Sequence, residues 1–266
     1  MTHCFFDLTD KVILVTGASG YLGSAMVERF HAAGGHVYLN GRNSEKLQSL
    51  VKKIGHDQNR LTVVPFDIAD EEARRKSLTV IKQQHGRLDG LVNNAFMPMS
   101  ASVYKATFDD FQKSLGTNVS ATFALSQDCF SLLERPHNDK DSGVIVNIAS
   151  MYGMVSPDPS IYGDSGMNNP PFYGASKAAI LQLTRYFATH IIDKNIRTNA
   201  VSPGSFPPES IKQSMPQFHE NLCNKVPMKR IGKPEEVAAV VHFLLSSEAS
   251  YINGANIPVD GGWTAW

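Results

Sequence analysis

Cysteine and an excess of charge of one sign are two features that this sequence has little of. Its 266 residues include three cysteines, Cys4, Cys129 and Cys223, which are far apart and in no metal-ligand spacing. We therefore expect neither a disulfide framework nor a zinc site, and such cysteine use is typical of a reducing, cytoplasmic location. The 25 basic and 25 acidic residues balance, so nothing electrostatic favours a nucleic acid or an anionic membrane as a partner.

Long apolar runs are also missing. No stretch approaches the about 18 consecutive apolar residues of a membrane-spanning helix, and the N-terminus carries Asp7 and Asp10 in place of an apolar signal sequence. The nine histidines show no clustered spacing, so we assign none of them to a metal. These absences favour a cytoplasmic protein whose partner is a small molecule, without a membrane or a metal.

Seven apolar, β-branched runs alternate with longer segments of helical period. This alternation predicts an α/β fold, a Rossmann-like doubly wound parallel sheet with helices on both faces, in a single domain spanning 1–266. Two irregular regions, 155–171 and 203–216, are rich in Pro, Gly, Ser and Asn, and we expect them to wall a ligand crevice at the carboxyl ends of the strands. The seven runs are KVILVTG, HVYLNG, LTVVPFD, LDGLVNNA, GVIVNIAS, IRTNAVSPG and ANIPVDGG.

A glycine-rich turn, LVTGASGYLGSAM, follows the first predicted strand and opens a helix. Glycines let the backbone approach a diphosphate closely, and the positive end of the helix receives its charge. The turn therefore predicts dinucleotide binding. The residues that we expect to contact the cofactor here are Gly17, Ser19, Gly20, Tyr21 and Leu22.

The end of the second strand, VYLNGRN, bears on which dinucleotide binds. Dinucleotide-binding folds often place an acidic residue here for the ribose hydroxyls, but this chain has Gly41 followed by Arg42. An arginine can bind a 2'-phosphate through charge-assisted hydrogen bonds. NADP is favoured and NAD remains possible, and the alternative is that Arg42 is a solvated loop residue.

The stretch PPFYGASKAAI places Tyr173 four residues before Lys177. On a helix these residues lie on the same face, so both side chains can reach one small molecule. A solvated helix face would show the same spacing.

Taken in order, these motifs resemble the short-chain dehydrogenase/reductase family. They are the glycine turn, NNA at 93–95, Asn118, NIAS ending at Ser150, the Tyr173 and Lys177 pair, VSPG at 201–204 and the C-terminal stretch to Gly262. The resemblance implies an NAD(P)-dependent oxidoreductase that transfers a hydride between a nicotinamide cofactor and a carbonyl or secondary alcohol. It also implies a homo-oligomer, a dimer or tetramer, built partly through the Tyr173 helix and the segment 111–132, although the apolar faces of these helices could equally face the protein's own sheet.

The resemblance implies a role for each catalytic residue. Tyr173 would donate the proton to the carbonyl oxygen, with its pKa lowered by the Lys177 ammonium, while Ser150 hydrogen-bonds that oxygen. Lys177 would also bind the nicotinamide ribose. Asn118 would hold a water next to the lysine, unless it is an ordinary polar residue in a helix interior. Asp67 would contact adenine, unless it is the N-cap of the following helix. Further expected cofactor contacts are Ile68, Asn94, Ala95, Pro203, Gly204 and Ser205.

The sequence departs from the family pattern in several places. The glycine turn reads TGxxGxxG, with Tyr21 where a glycine usually sits, and Phe96 replaces the last glycine of NNAG. The threonine expected after Pro203 and Gly204 is absent, so Ser205 or Ser210 would replace it at the carboxamide. An insertion separates Ser150 from Tyr173, and its Tyr162 is a rival for the catalytic position but lacks a lysine four residues later.

The insertion also bears on the substrate. Asn168 and Asn169, with Asp164 and Ser165, would bring polar groups to the active tyrosine and suit a hydroxylated, sugar-like substrate, or they merely solvate a loop. Phe96 is the third residue expected near the substrate. The insertion resembles that of family members associated with bacterial surface sugars and flagellin modification. Two alternatives stay open, a sugar epimerase or dehydratase and a non-catalytic nucleotide-binding sensor.

Overall fold

The computed structural model describes residues 6–137, 141–163 and 168–266, so Cys4 lies outside the described residues. Seven strands form one sheet in the order β3-β2-β1-β4-β5-β6-β7, and every neighbouring pair is parallel. This arrangement confirms the predicted doubly wound α/β fold, and each of the seven predicted runs contains one strand. The strands are β1 Val12–Val15, β2 His36–Gly41, β3 Leu61–Pro65, β4 Gly90–Asn93, β5 Gly143–Ile148, β6 Ile196–Pro203 and β7 Asn256–Val259.

Helices cover both faces of the sheet. Ile13 and Val15 of β1 pack in a core with residues of the helices α1, α2 and α9, while Val12 and Leu14 pack on the other side with α3, α5 and α6. Side chains that alternate between two apolar layers explain why the strands read as continuous hydrophobic runs. The helices are α1 Tyr21–Ala32, α2 Ser44–Ile54, α3 Glu71–His85, α4 Phe108–Leu115, α5 Ala121–Leu133, α6 Pro171–His190, α7 Glu209–Ser214, α8 Pro216–Lys225 and α9 Pro234–Leu245.

Side-chain caps fix where several helices begin. The Asn43 side chain accepts a hydrogen bond from Lys46 N at the start of α2, and Asp70 accepts one from Ala73 N at the start of α3. The alternative that Asp67 is the N-cap of α3 is therefore wrong. Asp67 lies three residues earlier, and its Oδ1 accepts from Ala69 N at 2.9 Å in a local turn.

A wide π-helical turn, Gly116–Ser120, joins α4 to α5 in one continuous helical segment. Single π turns inside helices occur frequently at functional sites. This one contains Asn118, which is 3 % exposed. The predicted helix over this part of the chain is confirmed, and the extra backbone width falls at the polar residue in its middle.

The strand order reverses between β1 and β4, where the chain crosses to the other half of the sheet. In an open parallel sheet, ligands bind outside the carboxyl ends of the strands at such a point. The segments that follow β1, β4, β5 and β6 lie at this edge, and they carry Gly17, Asn94, Ser150 and Gly204. Within the described residues, none of the helices combines the length and the apolar character needed to cross a membrane.

Candidate active site

The glycine turn between β1 and α1 depends on two of its glycines. Gly17 has φ of +61°, which L side chains rarely adopt, and a Cβ on Gly23 would lie 2.2 Å from Gly17 O. Gly20 has an ordinary extended backbone, with φ of −77°. A turn this tight, opening directly into α1, fits the diphosphate of a dinucleotide. The early glycine and Tyr21 do not disturb it, because the sterically required positions are 17 and 23.

Asn94 holds the turn from the neighbouring strand. Its Nδ2 donates to Thr16 O at 2.9 Å and to Gly17 O at 3.1 Å. In return, Thr16 Oγ1 accepts from the backbone N–H groups of Asn94 at 2.9 Å and Ala95 at 3.0 Å. Asn94 and Ala95 therefore lie directly beside the proposed diphosphate site, as part of its frame.

Arg42 follows β2 at the same edge of the sheet, and its side chain is exposed. The hydrogen bonds and ion pairs found among the described residues do not include its guanidinium, whereas neighbouring Asn43 is occupied in capping α2. Arg42 is therefore free to bind an anion. Ile68, after β3, is 6 % exposed, and its carbonyl accepts from Arg74 Nη1 at 2.8 Å.

Ser150, Tyr173 and Lys177 come together at the ends of β5 and α6. Ser150 Oγ accepts from Tyr152 N at 3.1 Å, which holds the serine at the start of a short 3₁₀ turn. Tyr173 and Lys177 lie one turn apart on α6, and Lys177 Nζ is 5.8 Å from the Tyr173 ring centroid. Lys177 is buried, and its Nζ donates to Ile148 O at 2.7 Å.

The electrostatics of this cluster differ from the sequence prediction. Burial raises the pKa of Tyr173 above its usual value, and the nearby Ser150 hydroxyl opposes this only in part. Burial also lowers the pKa of Lys177 to about 8. The predicted lowering of the Tyr173 pKa by Lys177 is thus not found, because desolvation outweighs other effects on the phenol and also weakens the lysine as a cation.

Asn118 faces this cluster through its two neighbours on α4 and α6. Its Oδ1 accepts from Met97 N at 2.9 Å, and its Nδ2 donates to Ser114 Oγ at 3.2 Å and Ser176 Oγ at 3.4 Å. Ser176 Oγ donates to Tyr173 O at 2.8 Å. Asn118 therefore links the loop after β4 to the backbone of the Tyr173 helix.

A cavity of about 360 Å³ opens beside Ser150 and Tyr173. Asn168 and Asn169 both line it, and the Asn169 Oδ1 is buried without a hydrogen-bond partner. Phe96 also lines it, with its ring edge-on to Tyr173 at 6.4 Å between centroids. Asp164 and Ser165, the other two polar residues expected here, lie outside the described residues. The lining residues that the sequence analysis missed include Ser114, Tyr152 and Met97.

The missed residues differ in how visible they were in the sequence. Ser114 precedes Asn118 by one helical turn, so the same periodicity that places Asn118 also puts Ser114 on its face. Tyr152 lies two residues after Ser150 and is held by that serine, a contact that no sequence pattern signals.

The loop after β6 contributes to two different cavities. Gly204 lines the cavity of Ser150 and Tyr173, and its hydrogen atoms face Asp260, since a Cβ there would lie 2.6 Å from Asp260 Cα. Ser205 lines a second cavity of about 310 Å³ with Phe206 and Arg230, and its buried Oγ has no hydrogen-bond partner. Pro203 ends β6 directly before this loop, and Ser210 is exposed on α7.

The insertion before α6 packs on α8. Asp158 pairs with Lys225 at 2.8 Å, Asn221 Nδ2 donates to Ile161 O at 3.2 Å, and Tyr162 stacks on Phe218 with 5.6 Å between centroids. Tyr162 is not among the residues that line the cavity of Ser150 and Tyr173. This packing gives Tyr162 a structural role in holding the insertion on α8, outside the lining of that cavity.

Comparisons with known proteins agree with this geometry. The sequence profile of a family described as enoyl-(acyl carrier protein) reductase matches residues 17–264. The chain is 32 % identical over 255 residues to 3-oxoacyl-(acyl-carrier-protein) reductase FabG of Thermotoga maritima, covering 96 % of this chain and 98 % of that protein. It is 35 % identical over 257 residues to meso-2,3-butanediol dehydrogenase of Serratia marcescens, covering 96 % of this chain and 95 % of that protein.

A solved structure gives the same result. The active-site complex of Pseudomonas aeruginosa RhlG with NADP superposes with a TM-score of 0.88 at 28 % identity, covering 98 % of this chain and 99 % of that one. Family profile, relatives and fold all span nearly the whole chain. The protein therefore belongs to the short-chain dehydrogenase/reductase family and is an NAD(P)-dependent oxidoreductase that acts on a carbonyl or the corresponding secondary alcohol.

Proposed function

We propose that this protein is an NADP-preferring reductase of a small carbonyl compound, with Tyr173 as the proton donor. The observation that carries the proposal is the position of Ser150 and Tyr173 on the wall of one cavity, with Lys177 buried one turn after Tyr173, at the sheet edge that also holds the glycine turn. The intact catalytic set argues against a non-catalytic sensor, and the relatives' oxidoreductase names favour hydride transfer over epimerisation or dehydration.

The residues present suit a dinucleotide. The turn from Gly17 to Leu22, framed by Asn94 and Ala95, would hold the diphosphate, with Asp67 and Ile68 towards the adenine. Pro203, Gly204 and Ser205 would lie at the nicotinamide end, and the partnerless Oγ of Ser205 supports a contact there, although it lines the neighbouring cavity. When bound, the reduced nicotinamide supplies the hydride.

The protein's own part in the reaction is to place and move the proton. The Tyr173 hydroxyl donates its proton to the carbonyl oxygen, and the Ser150 hydroxyl donates a hydrogen bond to the same oxygen as negative charge develops. Because burial raises the pKa of Tyr173, the phenol is present in the protonated form that donation requires. Lys177 would stabilise the phenolate that remains. Asn118 positions α6 through Ser176 and would hold a water beside the lysine.

Arg42 supports the preference for NADP. It is exposed beside the first turn of α2, and no carboxylate follows β2 at the place where one would repel a 2'-phosphate. A guanidinium bound to phosphate contributes charge-assisted hydrogen bonds that a ribose hydroxyl cannot match. The preference for NADP therefore rests on Arg42, since related structures contain either NADP or NAD+.

The proposal also covers the substrate loops, the oligomeric state and the cellular location of the protein. We take 155–171 and 203–216 as the substrate loops of one domain. We propose Asn168, Asn169 and Phe96 as substrate contacts, because these three residues line the cavity. The side-chain amides of Asn168 and Asn169 favour a hydroxylated, sugar-like substrate. We also propose a cytoplasmic homo-oligomer that contacts other copies through α5 and α6, on which Phe123 and Tyr186 are exposed.

The experiment that tests the cofactor site is a fluorescence titration with NADPH and NADH of the wild type and of Arg42→Asp. We expect the wild type to bind NADPH more tightly, and the variant to lose about 10- to 100-fold in NADPH affinity because two or more charge-assisted hydrogen bonds disappear. Lys52→Asp, the same charge change at the exposed far end of α2, is the control and should leave the preference intact.

Activity is then measured as NADPH oxidation with a panel of small ketones and hydroxyketones. Binding of neither nucleotide, or binding without turnover of any carbonyl, would overturn the proposed function. An unchanged NADPH preference in Arg42→Asp, or an equal loss in Lys52→Asp, would remove the assigned role of Arg42 while leaving the reductase chemistry in place.

A further inference from the structure

The orientation of the Asn118 amide is determined by its hydrogen bonds. Met97 contributes a backbone N–H, which can only donate, so the Asn118 atom that faces it at 2.9 Å is the acceptor Oδ1. The Nδ2 group therefore points the other way, to Ser114 Oγ at 3.2 Å and Ser176 Oγ at 3.4 Å. Both serine oxygens accept from Asn118, which leaves each hydroxyl proton available for another acceptor.

The two serines use that proton differently. Ser176 Oγ donates to Tyr173 O at 2.8 Å. Ser114 Oγ has no acceptor among the described residues, although buried hydroxyls of nearby helices donate to the carbonyl one turn earlier, as Ser126 does to Thr122 O at 2.8 Å. Ser114 is 1 % exposed and lines the cavity beside Ser150 and Tyr173.

Within the part of the chain that the structure describes, the Ser114 hydroxyl is a hydrogen-bond donor without an acceptor at the wall of the cavity. A buried hydroxyl proton without an acceptor costs free energy, and a ligand oxygen in the cavity would remove that cost. The reacting oxygen of the substrate already belongs to Ser150 and Tyr173. A second oxygen atom of the same substrate would supply an acceptor for Ser114.

We propose that Ser114, oriented by Asn118, is a specificity-determining residue that donates a hydrogen bond to a second oxygen of the substrate. The substrate class is a carbonyl compound with a further oxygen function close to the reacting carbon, such as a hydroxyketone. The inference rests on the proposed reductase function and deepens it by naming the group that the cavity selects.

The rest of the cavity agrees with a substrate that is polar on one side. Tyr152, Asn168 and Asn169 add polar groups to the lining, while Phe96 and Met97 add apolar ones. A small hydroxyketone can place its second oxygen among the polar groups and its carbon chain against the apolar ones. A simple ketone would leave the Ser114 proton without an acceptor.

The test compares acetoin with 2-butanone, which differ by one hydroxyl on the carbon next to the carbonyl. Steady-state NADPH oxidation gives kcat/KM for both with the wild type and with Ser114→Ala. We expect the wild type to prefer acetoin by about tenfold or more, and the variant to lose most of that preference, mainly through a higher KM for acetoin. Alanine is a good helix former, so α4 should persist.

Ser176→Ala is the matched control, because it removes the other serine that accepts from Asn118. The Ser176 hydroxyl donates to Tyr173 O and does not line the cavity. This variant should therefore change kcat/KM for both ketones by the same factor and leave the ratio of kcat/KM for acetoin to that for 2-butanone unchanged. Turnover of both ketones with the same ratio in wild type and Ser114→Ala would overturn the inference alone, as would an equal change of ratio in Ser176→Ala. Absence of turnover with either ketone, in a protein that binds NADPH, would instead count against the proposed reductase and the inference with it.

Discussion

Replacing Gly23 by alanine tests whether the glycine turn depends on the close contact between its two ends. The new Cβ would lie 2.2 Å from Gly17 O and 3.0 Å from Ala18 Cα, both backbone atoms that cannot rotate away. Ordinary contact starts at 3.4 Å, so the turn or the first turn of α1 must move by about 1 Å. Overpacking of this kind costs about 1–3 kcal/mol.

Two measurements follow the effect. Thermal unfolding by circular dichroism should show a Tm lower by about 3–10 °C, since about 1 kcal/mol corresponds to a few degrees in a chain of this size. NADPH titration should show at least about tenfold weaker binding, because the amides that receive the diphosphate move with the turn. Well below Tm nearly all of the variant is folded, so its loss of stability alone should not weaken NADPH binding, and the lower affinity reports the displaced turn.

Gly20→Ala provides the comparison within the same turn. A Cβ there would meet Gly17 O at 3.1 Å, and φ of −77° suits alanine, so the expected loss of stability is under about 1 kcal/mol. A wild-type Tm and NADPH affinity in Gly23→Ala, or a larger loss in Gly20→Ala, would show that the turn does not depend on this contact.

Two further predictions concern the catalytic cluster. Tyr173→Phe should lower kcat/KM for carbonyl reduction by about 10²–10⁴ with NADPH affinity retained, because only the proton donor is lost. Tyr162→Phe should keep most of the wild-type kcat/KM, and the reverse result would make Tyr162 the proton donor. For Lys177, the unfolded pKa is about 10.4 and the folded pKa about 8, so the unfolded state binds more protons between these values and wild-type stability rises with pH there. Measured by urea denaturation, the free energy of unfolding of Lys177→Met minus that of the wild type should accordingly fall by about 2 kcal/mol from pH 7 to pH 9.5. A difference that does not change with pH would contradict a buried lysine with a lowered pKa.

Much of the fold was visible in the sequence because its signals are local. A buried parallel strand needs an apolar run, and a helix needs its period, so seven strands and the long helices followed from short windows. The pairing of Tyr173 with Lys177 was likewise local, since both positions belong to one helix. Even the tight glycine turn was visible, although which of its glycines matter sterically was not.

The misses have a common cause. The N-cap of α3 was assigned to Asp67 as an alternative, yet Asp70 takes that role, because either aspartate could cap and only the backbone path selects one. The pKa of Tyr173 depends on how much solvent the packed helix excludes, a quantity with no sequence signature. Ser114 became a candidate only once Met97 N, 21 positions from Asn118, had settled the orientation of the Asn118 amide.

The order of strands and helices, the family and the set of chemical groups could all be inferred from the sequence, because each depends on residue type and on spacing along one segment. Which groups from distant segments come into contact followed only from the tertiary structure. Asn94 reaches Gly17 across 77 positions, and Lys177 Nζ reaches the carbonyl of Ile148 across 29. Contacts between distant segments arise from how whole helices and strands pack together, and that packing is a property of the complete core and not of any stretch of the chain.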